Sequence, residues 1–388
     1  MTEKLNSDLN NLENLNLENL NKDKITISKS LFIKELSAGT NVKEAIFLVT
    51  KKAIRKKRSG EPYCILSLQD KSGSIEAVIW SDIFSKNNLY NENQFNEGDF
   101  LSVSGDVSEY KGGLQLTISS FKKIRQEDEE FIDLSDFIRK TSKDINKMLK
   151  EIFGYIDSIK NSYLRKLLKI FFNDKSFVEQ FCYSSAAVQY HHAYIGGLIE
   201  HTLSTVKLCN FIAENYKEIK AVQKAYTHIN DFKDLIVAGA ILHDIGKIEE
   251  YKAEKSGAFI KTSDKGKLIG HITIGYGMVL EKISKIKDFP VQLKDRLLHI
   301  ILSHHGHKEF GSPKRPKTIE AFIVYHADHL DADIGGFSSA MENNADGAEW
   351  SEYLKNFDRS VLLKEFNLEE ENNFNFEEQV NENQVKLF

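Results

Sequence analysis

Histidine and aspartate recur in the second half of this chain at positions that could do metal chemistry. His243 and Asp244 stand side by side in the run Ile241-Leu-His-Asp-Ile-Gly-Lys247, at the end of the apolar stretch 235–242, which reads as a helix. His201, His271, His304, His305 and Asp328 each lie near another helical apolar run. Borderline divalent metals accept mixed imidazole and carboxylate ligands, and a carboxylate can bridge two ions. A lone His-Asp pair carries little weight, because such a pair more often caps a helix or faces solvent. The ordered set is what raises a metal centre above that reading.

Two further groups belong with these ligands. Lys247, three residues after Asp244, shares its face if the helix continues. There its ammonium could hold a phosphate oxygen or assist a leaving group. The competing role is a lysine that complements the helix C-terminal dipole. Upstream, Tyr190-His-His-Ala-Tyr-Ile-Gly-Gly197 leads into His201. Gly196 and Gly197 within a helical pattern cost about 1 kcal/mol each relative to Ala, so a close approach of helix or substrate is expected there. His191, His192 and Tyr194 are candidate substrate contacts. His307, His326 and His329 are read as structural or surface groups.

The elements that must position these residues are helical. Residues 127–185 carry Leu134, Phe137, Ile138, Ile145, Met148, Leu149, Ile152 and Phe153 at helix-like spacing, a connector expected to pack on the catalytic region. Helical patterning then runs from Ala186 onward, and its single β element is expected at Glu254–Leu268.

The first part of the chain is different. The segments Ala45–Val49, Tyr63–Leu68, Ser74–Trp80, Asp99–Ser104 and Leu114–Ile118 are rich in β-branched and aromatic residues, with turn chemistry at Asp70-Lys-Ser-Gly73 and Lys111-Gly-Gly113. A helix is expected over Ser81–Tyr90. Five strands with a helix after the third are similar to an OB-fold, a small barrel that binds oligonucleotides. Residues 31–125 hold 14 basic against 11 acidic residues, although the whole chain carries a formal charge of −5. Lys51, Lys52, Arg55, Lys56, Lys57 and Arg58 are read as a basic loop after the first strand, suited to phosphates. Strand parity puts Tyr63 and Trp80 on the faces opposite the apolar positions of their strands, where they could stack bases. Against this stand a merely solvated basic turn and a Trp80 that plugs the core.

Composition bounds the rest. At 388 residues, 41% apolar and 28% charged, the chain has room for two domains and an ordinary core. No stretch reaches the roughly 20 apolar residues of a membrane span, and the N-terminus is too polar for a signal peptide, so a cytoplasmic protein is expected. Cys64, Cys182 and Cys209 form no CxxC pair and are read as reduced core thiols. The Asn/Leu/Glu-rich segment 1–30 and the acidic tail 366–388 are expected to be disordered; residues 364–388 hold 7 acidic and 2 basic residues.

Taken in order, His201, His243-Asp244, His271, His304-His305 and Asp328 resemble the ligand set of the HD superfamily of metal-dependent phosphohydrolases in its two-metal form. The stretches around His201, Leu242–Lys247, Gly270-His271-Ile272, Ser303–Gly306 and His326–Ala332 resemble the bacterial YhaM-type 3′→5′ exoribonucleases, over residues 30 to 350 or so. That resemblance implies an all-β OB-fold followed by a mainly α-helical HD domain, placed here at 31–125 and 186–365 with the connector 126–185 between. It implies one metal held by His201, His243, Asp244 and Asp328. The second falls to His271, His304 and His305, with Asp244 bridging. It also implies hydrolysis of single-stranded RNA from the 3′ end, with DNA left open. The imidazole-rich set favours Mn²⁺, with Co²⁺, Fe²⁺, Zn²⁺ or Mg²⁺ as alternatives. Besides single-stranded RNA, a second copy of the chain in a homo-oligomer is a candidate partner, and a membrane is not. Competing readings are an HD-type nucleotide phosphohydrolase or cyclic-dinucleotide phosphodiesterase, and a non-catalytic nucleic-acid-binding accessory protein.

Overall fold

The computed structural model describes residues 29–86, 94–110, 113–188, 192–226, 228–254, 258–342 and 349–364, the last without 352, 355 and 356. The N-terminal repeat up to residue 28, His191, Lys111-Gly112 and the acidic tail lie outside the described residues.

Five strands close a barrel in the order β1-β2-β3-β5-β4: β1 Asn41–Lys56, β2 Pro62–Asp70, β3 Gly73–Ile79, β4 Phe100–Tyr110 and β5 Gly113–Lys123. Helix α1, Ser81–Lys86, follows β3; the rest of the expected helix, to Tyr90, lies outside the described residues. All neighbours are antiparallel except β3 and β5, which run parallel and close the barrel. Alternation explains how one strand feeds two cores. In β1, Phe47 and Val49 point into the barrel with Leu66, Leu68, Ala77 and Leu116. The intervening Leu48 points outward and meets Phe100, Phe137 and Phe259 in a second apolar cluster that joins barrel to helices. There the rings of Phe100 and Phe137 meet edge-on, centroids 4.8 Å apart.

The expected basic loop is a strand. β1 pairs with β2 as far as Lys56 against Pro62, so Lys51, Lys52, Arg55 and Lys56 are strand residues, and the turn holds Lys57 and Arg58. Their charge interrupts the apolar alternation that marks the strand's first part, because this end of β1 projects beyond the barrel core.

The helical part comprises α2 Ile145–Ser158, α3 Ser162–Phe172, α4 Lys175–Tyr183, α5 Gly197–Tyr216, α6 Lys220–Ala225, α7 Ile229–Leu242, α8 Lys247–Glu250, α9 Asp264–Ile269, α10 His271–Ser284, α11 Val291–Ser303 and α12 Ile319–Glu342. Asp144, Asn161 and Asp174 cap α2, α3 and α4 by accepting hydrogen bonds from first-turn amides. Phe137 and Ile138 lie before the first cap; they follow a 3-10 turn and pack toward the barrel, although their spacing reads as helical. From Met148 to Ala327 the buried residues form one continuous core, so the connector's helices belong to the body they were expected to pack against. The β element between α8 and α9 is a short hairpin, β6 Tyr251–Glu254 and β7 Phe259–Thr262. It ends earlier than expected, since Ser263 caps α9 through the amide of Gly266.

Candidate metal centre and nucleic-acid face

Five helices bring the candidate ligands together. His201 comes from the first turns of α5, His243 and Asp244 from the end of α7, His271 from the start of α10, His304 and His305 from the end of α11, and Asp328 from mid-α12. The turn after Asp244 touches the start of α10. A Cβ on Gly246 would stand 2.0 Å from the His271 carbonyl oxygen, so only glycine allows that approach. Gly196 and Gly197 open α5 rather than interrupt it. Gly196 is its left-handed N-cap, and a Cβ on Gly197 would stand 2.0 Å from the His192 carbonyl oxygen.

Each candidate ligand histidine is oriented through its Nδ1. His243 donates to the Ala240 carbonyl, His304 to that of Ile301 and His305 to that of Phe310, each at 2.7 Å. A carbonyl only accepts, so Nδ1 carries the hydrogen and Nε2 is left with its lone pair. Carboxylates hold the other two: Asp331 Oδ2 lies 2.7 Å from His201 Nδ1, and Glu250 Oε2 lies 2.8 Å from His271 Nδ1. Such partners fix ring orientation and raise ligand basicity.

The five Nε2 atoms divide around Asp244. Its Oδ2 lies 3.4 Å from His201 Nε2 and 3.3 Å from His243 Nε2, while Asp328 Oδ1 lies 3.1 and 3.7 Å from the same two atoms. Its Oδ1 lies 3.6 Å from His271 Nε2 and 3.5 Å from His304 Nε2. In each of the two groups, His201/His243/Asp244/Asp328 and Asp244/His271/His304/His305, the ligand atoms all lie within 4.8 Å of one another. Asp244 Oδ1, His271 Nε2 and His304 Nε2 are buried without a hydrogen-bond partner. Buried polar atoms are nearly always satisfied; a cation in the second group would satisfy these three, and one in the first would satisfy Asp244 Oδ2, which also lacks a hydrogen-bond partner and faces His201 and His243. The residues present therefore fit two divalent ions.

The charges agree with that fit. Burial by itself would raise the Asp244 carboxyl, but Lys247, His243 and His201 hold it well below the usual carboxylate range. Burial likewise opposes ionisation of Asp328, and His201 and His243 overcome it. Burial, then the neighbouring His304, pulls His305 down to about 3, which keeps it a neutral donor. Lys247 is buried with its Nζ 2.6 Å from Asp244 Oδ2.

Around this centre, His192 lies 3.1 Å from Asp331 Oδ2 and 2.9 Å from the Tyr194 hydroxyl, which donates to Glu200. His307, His326 and His329 belong to no ligand group among the described residues. They pack with Phe310, Phe322 and Tyr325. The sequence pattern does not single out Glu250 and Asp331. Their one signal is spacing, three residues after Lys247 and Asp328 respectively.

On the barrel, the Tyr63 and Trp80 rings lie 5.3 Å apart on the outer face, and Lys57 Nζ stands 5.2 Å from the Trp80 ring. Trp80 is exposed rather than a core plug. Arg55 pairs across the ladder with Tyr63, and Lys51 with Ser67, so both basic residues share that face. Lys52 points the other way, donating to the Phe95 carbonyl at 2.7 Å.

A β-barrel of OB type followed by a helical domain with two adjoining His/Asp groups that could hold divalent metal defines an OB-plus-HD protein. The sequence families agree: the HD domain matches residues 198–333, and the OB-fold nucleic acid binding domain matches residues 49–124. The chain is 33% identical over 318 residues to the 3′-5′ exoribonuclease YhaM of Listeria welshimeri, covering 81% of this chain and 92% of that protein. It is 32% identical over 286 residues to the protein of the same name from Bacillus subtilis, covering 73% and 82%. The chain belongs to the YhaM family.

Proposed function

We propose that this protein is a metal-dependent 3′→5′ exoribonuclease whose barrel holds single-stranded RNA and whose helical domain hydrolyses it. The observation that carries the reading is the division of Asp244, one oxygen toward each ligand group. In this reading His201, His243, Asp244 and Asp328 would hold one divalent ion, and His271, His304, His305 and Asp244 would hold the second. Two such ions, when bound, would supply the charge that activates water and neutralises phosphoryl oxygens in an in-line displacement. The ligand set of imidazoles and carboxylates favours Mn²⁺.

The protein's own groups do the positioning. Asp331 and Glu250 hold the imidazoles of His201 and His271, and Lys247 fixes the orientation and charge of Asp244. His201, His243 and His304 are fully buried and keep bulk water from their rings, whereas His271 and His305 are partly exposed. Residues 31–125 are assigned to strand binding. Residues 186–365 are assigned to hydrolysis, with helices of 126–185 completing their core.

No helix among the described residues is long and apolar enough to cross a membrane. The three cysteines are free and buried, as suits a reducing compartment, and this supports a cytoplasmic setting. The relatives do not favour a nucleotide phosphohydrolase, a cyclic-dinucleotide phosphodiesterase or a non-catalytic binding protein. The test is a product ladder from 5′-labelled single-stranded RNA and DNA, with and without Mn²⁺. Stepwise shortening of RNA from the 3′ end is expected only with metal; metal-independent cleavage or internal cuts would overturn the reading.

A further inference from the structure

Three cavities lie in series between the exposed aromatic pair and the metal centre. The first, about 350 Å³, is bounded by Tyr63 and Trp80, and the second, about 380 Å³, shares Ile65 and Glu76 with it. The third, about 590 Å³, shares Arg139 with the second and ends on His192 and Asp331. Asp331 in turn contacts the ligand His201 at 2.7 Å. Each volume falls within the range of a ligand site. The shared residues set the three side by side along the boundary of barrel and helices, here called the seam.

Arg139 stands at the joint because its backbone is pinned there. The Ile195 amide donates to the Arg139 carbonyl and the Thr141 amide to the Ile195 carbonyl, both at 2.9 Å. These bonds hold residues 139–141 alongside the turn that carries His192 and Tyr194. The third cavity is also lined by Lys71, Lys140 and Lys143. Lys140 is exposed and makes no ion pair among the described residues. Lys71 and Lys143 pair with Asp136 and Glu200 at 2.6 and 3.0 Å but remain half exposed, and an ammonium has three donors.

The acids along the seam are already engaged. Glu76 accepts from Gln115, Glu200 from Thr141 and Tyr194, and Asp331 contacts both His192 and His201. Unspent donor capacity therefore belongs to the lysines, and with Arg139 beside them the seam suits an anionic backbone.

We propose that this seam is the path of the RNA strand from the barrel to the metal centre, and that Arg139 is a positioning residue that holds a backbone phosphate at its joint. The inference rests on the exoribonuclease reading and adds the route to it. A strand that takes this route must reach a minimum length before Arg139 can act on it.

The test is kcat/KM for wild type, Arg139→Glu, Arg139→Lys and Lys140→Glu with Mn²⁺, on RNAs from dinucleotides to about a dozen nucleotides, the range a single OB barrel spans. Arg139→Glu should lower kcat/KM about tenfold on RNAs long enough to reach the joint, the scale of one charge-assisted phosphate contact, and do so through KM. The defect should shrink on dinucleotides, and Arg139→Lys should restore most of the loss. Lys140→Glu, at an exposed position that cannot disturb the core, should show a smaller defect with the same length dependence. An equal fall at every length would make Arg139 a structural residue, and no change in either Glu variant would put the strand elsewhere; both outcomes overturn the proposal. Failure of wild type to shorten RNA from the 3′ end would instead overturn the function beneath it, a result separable because it appears before any variant is compared.

Discussion

The barrel and the helical domain handle polar groups in opposite ways. The barrel leaves its proposed strand contacts outside: Tyr63, Trp80, Lys51 and Arg55 share an outer face over an apolar interior. The helical domain buries its own, and His201, His243, Asp244 and His304 are at most 1% exposed. Surface groups act independently, and each should make a graded contribution to binding. Buried ones depend on one another, because a carboxylate or imidazole that loses its partner in a low-dielectric site is costly to leave there. Substitutions in the barrel should therefore weaken RNA binding by steps, and substitutions in the helical domain should stop the chemistry.

The hardest test of that contrast is Asp244. Alanine here would strip the buried Lys247 of its partner and confound catalysis with folding, since breaking a buried pair costs about 3–5 kcal/mol. Asp244→Asn keeps the shape. It should lower kcat at least about a thousandfold with Mn²⁺ in excess, because both proposed ion sites would lose a charged ligand. Turnover within tenfold of wild type, in a variant shown folded by thermal melting, would remove the bridging role.

The next largest effect belongs to the second ligand group. His271→Ala, His304→Ala and His305→Ala should each halve the bound metal, measured by elemental analysis, and lower turnover far more than half. Unchanged metal content in all three would mean a single-ion site with histidines that serve substrate. Asp331→Ala acts one layer out. It frees the His201 ring, and metal affinity should fall about 10–100-fold in a titration, as for other orienting carboxylates.

On the barrel the steps are smaller. Tyr63→Ala and Trp80→Ala should each weaken long-strand binding by about 1–3 kcal/mol if a base stacks there. Neutralising Lys51 or Arg55 should flatten the salt dependence of binding, by about 0.7 log units per log salt for each phosphate no longer neutralised. Lys52→Ala should leave that slope alone, because its ammonium is committed to the Phe95 carbonyl. A slope equally sensitive to Lys52 would mean that the barrel does not sort its cations by face.

Smallest is a pH effect at the one cation buried in the barrel, among the described residues. The Lys29 side chain is 1% exposed, 3.4 Å from Asp70, with its Nζ 3.5 Å from the Phe47 ring centroid. Burial pulls its pKa from 10.5 down to about 8 despite Asp70. Between those values the unfolded chain binds more protons than the folded one, so this group adds stability as pH rises through the window. Relative to Lys29→Met, wild type should gain on the order of 2 kcal/mol from about pH 7.5 to 10, read by denaturant melts. A flat difference would show that Lys29 stays charged in its site.

Much of this is legible in the chain without coordinates. Local pattern is enough to place five strands and a helix, because side-chain parity and turn residues are properties of neighbours in sequence. The same parity puts Tyr63 and Trp80 outside. The types and order of His201, His243, Asp244, His271, His304, His305 and Asp328 declare metal chemistry for the same reason, since a ligand set is a matter of donor atoms. Where charge density overrides pattern the sequence misleads: Lys51 to Lys56 read as a loop, although ladder bonds to β2 make them strand. Asp331 and Glu250 are equally opaque, because an aspartate or glutamate that orients an imidazole looks in sequence like any other surface acid.

Donor types, their order along the chain and the strand parity of the barrel were determined by the sequence alone. The tertiary structure decided which oxygen of Asp244 faces which histidines, which carboxylates hold the rings, and that Arg139 stands between barrel and metal centre. Those are distances between residues tens to hundreds of positions apart, and they exist only once the five helices pack on one core and the barrel docks against it.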